Sequence, residues 1–96
     1  MKVRYTASGA RDFDEAINNL LERSPHVVAD FANDIEMAID RLLEHPYSAQ
    51  ETKKPGVYRK YVRRFQYSIF YAVDEEATEI VILHIRHAAR SWPWQE

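Results

Sequence analysis

Cations that could bind an anion form two groups in this chain of 96 residues. The first group lies in residues 52–65, a stretch without any acid, and consists of Lys53, Lys54, Arg59, Lys60, Arg63 and Arg64. The second group closes the chain and joins cations to aromatic side chains: Arg86, His87, Arg90, Trp92 and Trp94. Arg and Lys bind carboxylates and phosphates, and a histidine can also transfer a proton near neutral pH. Because tryptophan is costly to expose, we expect the tail over residues 86–94 either to pack back on the domain or to contact another molecule.

The distribution of charge points to an anionic partner more clearly than the net charge of −2 does. Residues 1–51 hold five Lys and Arg against ten Asp and Glu, whereas residues 52–96 hold eight against five. An asymmetry of this kind makes one face of a small domain electropositive. The partner would be a nucleic acid or an acidic protein segment. The plainer alternative is a solvated strand face whose long aliphatic stems cover the sheet.

The composition argues against several other classes of protein. The absence of cysteine excludes disulfides and thiolate metal sites, and the four histidines do not show metal-ligand spacing. With only two glycines there is no phosphate-binding loop, so we expect no metal and no cofactor. A lone histidine such as His87, placed after a buried strand, is more typical of a structural hydrogen bond than of acid–base catalysis. No apolar run approaches the roughly 20 residues that span a bilayer, and the N-terminus lacks a hydrophobic signal core, so we expect a cytoplasmic protein.

The elements that position these residues begin with a short strand and two helices. Residues 2–6 alternate as in a strand, and Ser8 is then a candidate N-cap for a helix with a regular apolar stripe. Ser24 and Pro25 mark the end of this helix and the beginning of a second one. The second helix is expected to end just before Pro46, because proline disfavours helix at the residue that precedes it. The junction between the two helices is short, which predicts an antiparallel helical hairpin.

Three strands are predicted in the second half of the chain. Residues 57–65 alternate, residues 67–73 are rich in β-formers, and the gap between them has the length of a hairpin turn. Residues 80–86 are apolar almost throughout, which is typical of a central strand. The order β-α-α-β-β-β predicts an α+β fold in a single domain over residues 1–96. In that fold a mostly antiparallel four-stranded sheet is packed by the N-terminal helical hairpin.

This element order and two stretches of sequence resemble the RelE/ParE superfamily of bacterial toxins. The stretches are residues 62–71, VRRFQYSIFY, and residues 82–87, ILHIRH. These toxins belong to type II toxin–antitoxin modules. The resemblance covers nearly the whole chain, and it implies a small cytoplasmic toxin that forms a hetero-oligomer with a cognate antitoxin, ParD-like or related. The C-terminal segment of that antitoxin is expected to wrap the toxin.

The superfamily divides by target. Its RelE-like members are ribosome-dependent mRNA endonucleases, whereas its ParE-like members act on DNA gyrase. Cleaving RNA at the 2′-hydroxyl requires activation of that hydroxyl, cations on the scissile phosphate and an acid for the leaving oxygen. By resemblance to the RelE-like members, these roles would fall to Lys53, Lys54, Arg64 and His87.

Three positions depart from the RelE-like pattern. Ser68 stands where a sheet arginine is expected, Ala88 falls near the arginine expected after the last strand, and Trp94 falls near the terminal tyrosine. A serine and an alanine carry no charge, and an indole cannot usefully exchange a proton. The departures therefore favour the ParE-like branch.

We accordingly expect a ParE-like toxin that inhibits DNA gyrase through a protein–protein surface rather than by bond chemistry; the RelE-like endoribonuclease is the alternative. The residues expected to contact the target or the antitoxin are Arg59, Lys60, Arg63, Arg64, Arg86, Arg90, Trp92 and Trp94. The outer face of the helical hairpin, and any groove between it and the sheet, is a plausible dock for an antitoxin helix or strand. The basic strand over residues 57–64 is the expected dock for an acidic antitoxin tail, so antitoxin and target would compete for one surface. Direct binding of nucleic acid stays open. A third alternative is an inert or antitoxin-saturated member whose outward role is to regulate its own operon together with the antitoxin.

Overall fold

Two α-helices and a five-stranded sheet make up the part of the chain that the computed structural model describes, residues 1–90 and 92–94. The elements are β1 (Lys2–Tyr5), α1 (Ala7–Arg23), α2 (Val28–Glu44), β2 (Gln50–Glu51), β3 (Tyr58–Val62), β4 (Tyr67–Asp74) and β5 (Glu79–His87). A short 3₁₀ helix, Pro25–Val27, lies in the junction between the two α-helices. The α+β class and the order of the main elements are confirmed. Ser91, which belongs to the tail discussed above, lies outside the described residues.

The sheet is mixed and has the strand order β1-β5-β4-β3-β2. Only β1 and β5 pair in parallel, and the other three pairs are antiparallel. The predicted central position of β5 is confirmed, because it lies between β1 and β4. The sheet has one strand more than predicted, since the two residues of β2 pair with Tyr58 and Arg59. Within the described residues, the edge of β3 from Lys60 to Val62 has no neighbouring strand.

The two helices cover one face of the sheet and form the core with it. Phe31, Ile35 and Leu42 of α2 are fully buried, as their helical spacing predicts. They belong to the same apolar cluster as four fully buried sheet residues, Ile69, Tyr71, Ile80 and Ile82. In the described part of the chain, neither helix is long and apolar enough to cross a membrane.

Helix α1 begins earlier than predicted because Thr6, not Ser8, is its N-cap. The Thr6 hydroxyl accepts a hydrogen bond from the Gly9 N–H at 3.0 Å. The same hydroxyl lies 3.1 Å from the carbonyl oxygen of Ile82, to which it donates. The cap therefore joins the first turn of α1 to the edge of β5 and cannot be moved to Ser8 without losing that link.

Strand β3 is shorter than the alternation over residues 57–65 predicts. It ends at Val62, and a turn follows over residues 63–66, closed by a hydrogen bond from the Gln66 N–H to the Arg63 carbonyl oxygen. Gln66 has a φ of 58°, a left-handed conformation that a continuing strand does not contain. Arg63 and Arg64 therefore lie in the turn and not on the strand.

A bulge in β5 decides which of its side chains face away from the helices. Phe70 of β4 pairs with His84, whereas the next residue, Tyr71, pairs with Ile82. Leu83 is therefore an extra residue without a partner in β4. Because of this one-residue shift, His84 shares a face with Phe70, while Ile85 still points into the core.

Candidate functional site

The sheet face opposite the helices, which we call the open face, collects side chains from three neighbouring strands. The register aligns them in two rows, with Arg59, Phe70 and His84 in one row and Tyr61, Ser68 and Arg86 in the other. These strands thus bring together two arginines that are far apart in the sequence. The alternation of β3 and the bulge of β5 place them there.

Arg59 is held on the open face by the serine that replaces an expected arginine. Its Nε donates a hydrogen bond to the Ser68 Oγ at 2.7 Å, and Ser68 is only 3% exposed. The Arg59 guanidinium also lies 5.5 Å from the centre of the Tyr61 ring. The positive charge absent from position 68 is therefore supplied to the same part of the face by β3.

Arg86 and His84 are held by Asp12, a buried carboxylate of α1 that the sequence analysis did not identify as a site residue. One oxygen, Oδ2, lies 2.9 Å from His84 Nδ1 and 3.3 Å from Arg86 Nε. The same oxygen accepts a hydrogen bond from the Ile85 N–H at 3.0 Å. Because β1 ends at Tyr5, this part of β5 has no strand on that side, and Asp12 supplies the missing acceptor.

A sequence signal for Asp12 does exist, although it is weak. Gly9, Asp12 and Ala16 are the buried residues of α1, and they recur at helical spacing. Two of these three residues are small, which indicates a close approach of the helix to another element. An acid on such a stripe needs buried donors, because a carboxylate without them is strongly disfavoured away from water.

The tail packs back over the open face. The Trp92 and Trp94 rings stand edge-on to Phe70, with centroids 5.3 and 5.5 Å away. Trp94 also stands edge-on to His84 at 5.1 Å, and the Lys54 Nζ lies 5.5 Å from the Trp94 ring centre. Both tryptophans remain partly exposed. Of the two possibilities for the tail, packing on the domain is the one observed, with part of each indole still accessible.

A small pocket of about 170 Å³ lies between the open face and the tail, and we call it the open-face pocket. Arg59, Arg86 and Arg90 line it together with Trp92, and within residues 1–90 and 92–94 no acid lines it. His87 also borders it, but its Nδ1 accepts a hydrogen bond from the Ala89 N–H at 3.0 Å. Three guanidinium groups around one cavity favour a carboxylate or a phosphate group as the bound species.

The other predicted contact residues lie elsewhere, at the outer edge of β3. Lys60, Arg63 and Arg64 border a groove of about 290 Å³ together with Arg41 and Met37 of α2. Arg64 Nε and Nη2 each donate to the carboxylate of Asp34 at 2.9 Å. We call this set of residues the β3-edge surface. The eight predicted contact residues thus form two surfaces and not one.

The four residues of the RNase alternative are not assembled into one site. Arg64 belongs to the β3-edge surface, whereas His87 borders the open-face pocket. Lys54 lies under the tail, and Lys53 lines a separate groove beside β2. A hydroxyl activator, a phosphate-binding cation and a proton donor would have to act on the same few atoms. The arrangement in this structure does not provide that.

Comparisons with known proteins identify the fold. The family described as the ParE toxin of the type II toxin–antitoxin system parDE matches residues 3–92. No curated protein sequence matches the chain. The structure is similar to a chain of the chromosomal ParDE toxin–antitoxin system from P. aeruginosa, with a TM-score of 0.76 and 22% identity, over 91% of this chain and 95% of that one.

Two further solved structures come from the RelE side of the superfamily. The toxin–antitoxin complex RelBE2 from Mycobacterium tuberculosis gives a TM-score of 0.59 at 26% identity, over 93% of this chain and 92% of that one. The isolated E. coli RelE toxin gives 0.66 at 15% identity, over 94% and 86% of the two chains. The predicted superfamily is thereby confirmed. Since the family match spans nearly the whole sequence, this chain belongs to the ParE toxin family of type II toxin–antitoxin systems.

Proposed function

We propose that this toxin inhibits DNA gyrase through a protein–protein contact made by the open face and its tail. The open-face pocket carries the proposal, because Arg59, Arg86 and Arg90 line it, no acid is among its described lining residues, and two partly exposed tryptophans lie next to it. Arginine and tryptophan are the residue types that most often dominate interface binding energy. The acidic groups of a partner would pair with the arginines while an apolar group contacts the indoles. Membership of the ParE family supports gyrase as that partner.

The second candidate is a ribosome-dependent mRNA endoribonuclease. It is favoured by one observation, since three arginines and His87 border the same pocket and could contact a phosphate group. It is disfavoured by the dispersal of Lys53, Lys54 and Arg64, which would otherwise complete the chemistry. Ala88 cannot supply the positive charge expected after the last strand, and the indole of Trp94 cannot supply the proton donor expected near the C-terminus.

The cognate antitoxin is proposed to bind the β3-edge surface with an extended acidic segment. The edge of β3 offers unpaired backbone groups to which a strand can add. Beside it, Met37 and Tyr61 are 48% and 43% exposed and provide apolar surface that a bound segment could cover. The cations of this surface outnumber its one carboxylate, Asp34, and so favour acidic residues in the antitoxin.

Neutralisation would follow from the closeness of the two surfaces. Arg59 points to the open face, whereas the next residue, Lys60, belongs to the β3-edge surface. A segment bound along β3 would therefore lie beside the arginines that contact gyrase. In this proposal the toxin acts in the cytoplasm, where both its target and its antitoxin are found.

Expression of the toxin without its antitoxin tests the proposal in cells. Plasmid supercoiling and DNA-damage signalling are measured beside cleavage of ribosome-associated mRNA. We expect failed supercoiling with intact mRNA, and loss of the effect in Arg59→Glu and Arg90→Glu. Arg11→Glu is the matched control, because Arg11 is exposed on α1 and borders neither surface.

His87→Ala separates the two candidates within the same experiment. The substitution should abolish an endoribonuclease that uses this histidine for proton transfer. A gyrase inhibitor should keep its effect to within about twofold, because the His87 ring contributes mainly an edge contact to Tyr67 at 5.2 Å. Loss of toxicity together with loss of mRNA cleavage would overturn the gyrase proposal.

A further inference from the structure

The open-face pocket has one wall on the sheet and another on residues 92–94, which we call the tail end. Arg59, Phe70 and Arg86 belong to the sheet wall, and Trp92 and Pro93 belong to the wall formed by the tail end. Phe70 is only 5% exposed, although it lies on the face opposite the helices, because the indoles of the tail end pack on it. The pocket is therefore complete only while the tail end is packed on the sheet.

The two sheet arginines are each held by one nitrogen and keep the other two for a ligand. Arg59 Nε donates to Ser68 Oγ at 2.7 Å, and Arg86 Nε donates to Asp12 Oδ2 at 3.3 Å. Within residues 1–90 and 92–94, the Nη groups of these two arginines form no hydrogen bond. A guanidinium group that is already held in position binds a carboxylate or a phosphate with a smaller loss of side-chain entropy.

Arg90 adds the third cation of the pocket from the turn that follows β5. Among the described residues it pairs only with Glu15, at 3.8 Å, and both side chains are 53% exposed. An exposed pair at this distance contributes little to stability, so Arg90 can turn toward an anion in the pocket. Three like charges around one cavity repel one another, and a bound anion replaces this repulsion with attraction.

Trp94 fixes the tail end from outside the pocket. Its ring stands edge-on to Phe70 and to His84, with centroids 5.5 and 5.1 Å away, and Lys54 Nζ lies 5.5 Å from its centre. Trp94 is not among the residues that line the pocket. A substitution of Trp94 therefore changes the position of the tail end without removing a contact to a group bound in the pocket.

We infer that the open-face pocket binds one compact oxyanion and that the bound anion locks the tail end on the sheet. Arg59 and Arg86 hold the anion from the sheet, and Arg90 holds it from the turn that leads into the tail end. Because only the packed tail end completes the pocket, anion binding and packing of the tail end strengthen each other.

The size of the pocket limits the bound species. A cavity of about 170 Å³ is smaller than the roughly 300 Å³ at which pockets for drug-sized molecules begin, so it accepts a single carboxylate or phosphate group. In the isolated toxin this group is inorganic phosphate. In the complex with gyrase it is a carboxylate side chain of the partner, and this part of the inference rests on the proposed function.

Quenching of tryptophan fluorescence by acrylamide tests the coupling, because Trp92 and Trp94 are the only tryptophans of the chain. Sodium phosphate should lower the quenching constant of the wild-type toxin about twofold relative to sodium chloride at the same pH and ionic strength. Arg59→Gln and Arg90→Gln should lose this response, since each removes a cation from the pocket. Arg11→Gln, exposed on α1 and outside the pocket, is the matched control and should keep it. A response of equal size in all variants would be a general salt effect and would overturn the inference.

The affinity for phosphate gives the reciprocal measurement, read from an NMR titration of backbone amides. Trp94→Ala should weaken phosphate binding about fivefold or more, although Trp94 does not line the pocket. Leu21→Ala shortens a 50% exposed apolar side chain of α1 and should bind phosphate within about twofold of wild type. Equal affinity in Trp94→Ala and wild type would overturn the coupling between the anion and the tail end.

Competition between phosphate and gyrase distinguishes the two sources of the anion. If gyrase places a carboxylate in the pocket, saturating phosphate at constant ionic strength should weaken binding of the toxin to gyrase about threefold or more. Unchanged binding would overturn the assignment of the anion to gyrase. If the toxin does not bind gyrase at all, the proposed function is wrong, whereas the quenching and the titration still decide the anion site because they contain no gyrase.

Discussion

Asp12 supplies a hydrogen-bond acceptor to the backbone of β5, as a neighbouring strand does elsewhere in the sheet. Its carboxylate accepts the Ile85 N–H on the side of β5 that β1 does not reach, and it contacts His84 and Arg86 with the same oxygen. A helix residue thereby sets the position of an arginine on the open face. Local packing and the proposed contact with gyrase therefore depend on one side chain.

Removal of this carboxylate should destabilise the folded protein. Asp12→Ala leaves a buried N–H and the Arg86 guanidinium without their acceptor, so we expect unfolding to require about 3 kcal/mol less free energy. The Asp12 side chain is only 8% exposed, so solvent does little to reduce this effect. Asp12→Asn keeps one acceptor oxygen, so its free energy of unfolding should fall by less than that of Asp12→Ala. Denaturant unfolding measures the loss, with the exposed Asp14→Ala as control; equal stability of the two alanine variants would contradict the role given to Asp12.

At the scale of elements, the contact between α1 and β5 is set by the absence of a side chain at Gly9. A Cβ at this position would lie 2.4 Å from the carbonyl oxygen of Ile82. This oxygen also accepts the hydrogen bond of the Thr6 N–H at 3.0 Å, so the strand cannot withdraw without losing the start of the helix. Glycine is therefore required at position 9 because the backbones of α1 and β5 are too close for a Cβ atom. The backbone conformation of Gly9 itself would accept another residue.

Gly9→Ala should thus destabilise the protein, against the usual trend. In an unobstructed helix this substitution stabilises by about 0.4–1 kcal/mol. Here we expect a loss of about 2 kcal/mol from the clash with backbone. Thermal or denaturant unfolding checks the sign, with Ala10→Gly as a control that should cost about 1 kcal/mol through helix propensity alone. A stabilised Gly9→Ala variant would show that α1 can move away from β5.

The elements could be predicted from the sequence where a periodic pattern was long. The apolar stripe of α2 locates its core residues correctly, and the β-formers over residues 67–73 correctly predict β4. The bulge at Leu83 could not be predicted, because residues 80–85 are apolar except for His84 and carry no alternation that a shift would interrupt. The early end of β3 was missed for a similar reason, since the alternation continues into a turn that the left-handed Gln66 closes.

The candidate site was predictable in composition but not in arrangement. The cations of the open-face pocket are among the residues expected to bind a partner. Their separation from Lys60, Arg63 and Arg64 depends on where β3 ends and on the contact between Arg64 and Asp34. Asp12 was missed because its three partners come from a strand about 70 residues away in the chain.

At the scale of the whole molecule, Tyr71 links the sheet to the end of the helical layer. Its ring is fully buried, and its hydroxyl donates a hydrogen bond to the Pro46 carbonyl oxygen at 2.8 Å. Burial raises the pKa of this hydroxyl above the ordinary value of 10. The folded protein therefore holds the proton more tightly than the unfolded chain does.

Stability should consequently fall in alkaline solution. The contribution of Tyr71 is fully present below pH 10, the pKa in the unfolded chain, and is lost as the pH rises through the higher pKa of the folded state. Tyr5 and Tyr67, whose pKa values are also raised by burial, act in the same direction. Tyr71→Phe should cost about 1 kcal/mol at neutral pH and reduce the decline above pH 10. Denaturant unfolding between pH 8 and about pH 11 measures both effects, and an unchanged slope in the variant would contradict the assignment.

Inhibition of purified DNA gyrase by the isolated toxin tests the proposed function most directly. Relaxed plasmid, ATP and gyrase are incubated with toxin that has been separated from its antitoxin, and the supercoiled product is measured. We expect supercoiling to fall with increasing toxin, to recover when antitoxin is added, and to be unaffected by the Arg59→Glu variant. Undisturbed supercoiling, in the presence of a toxin sample that cleaves mRNA on ribosomes, would contradict the proposal and establish the endoribonuclease instead.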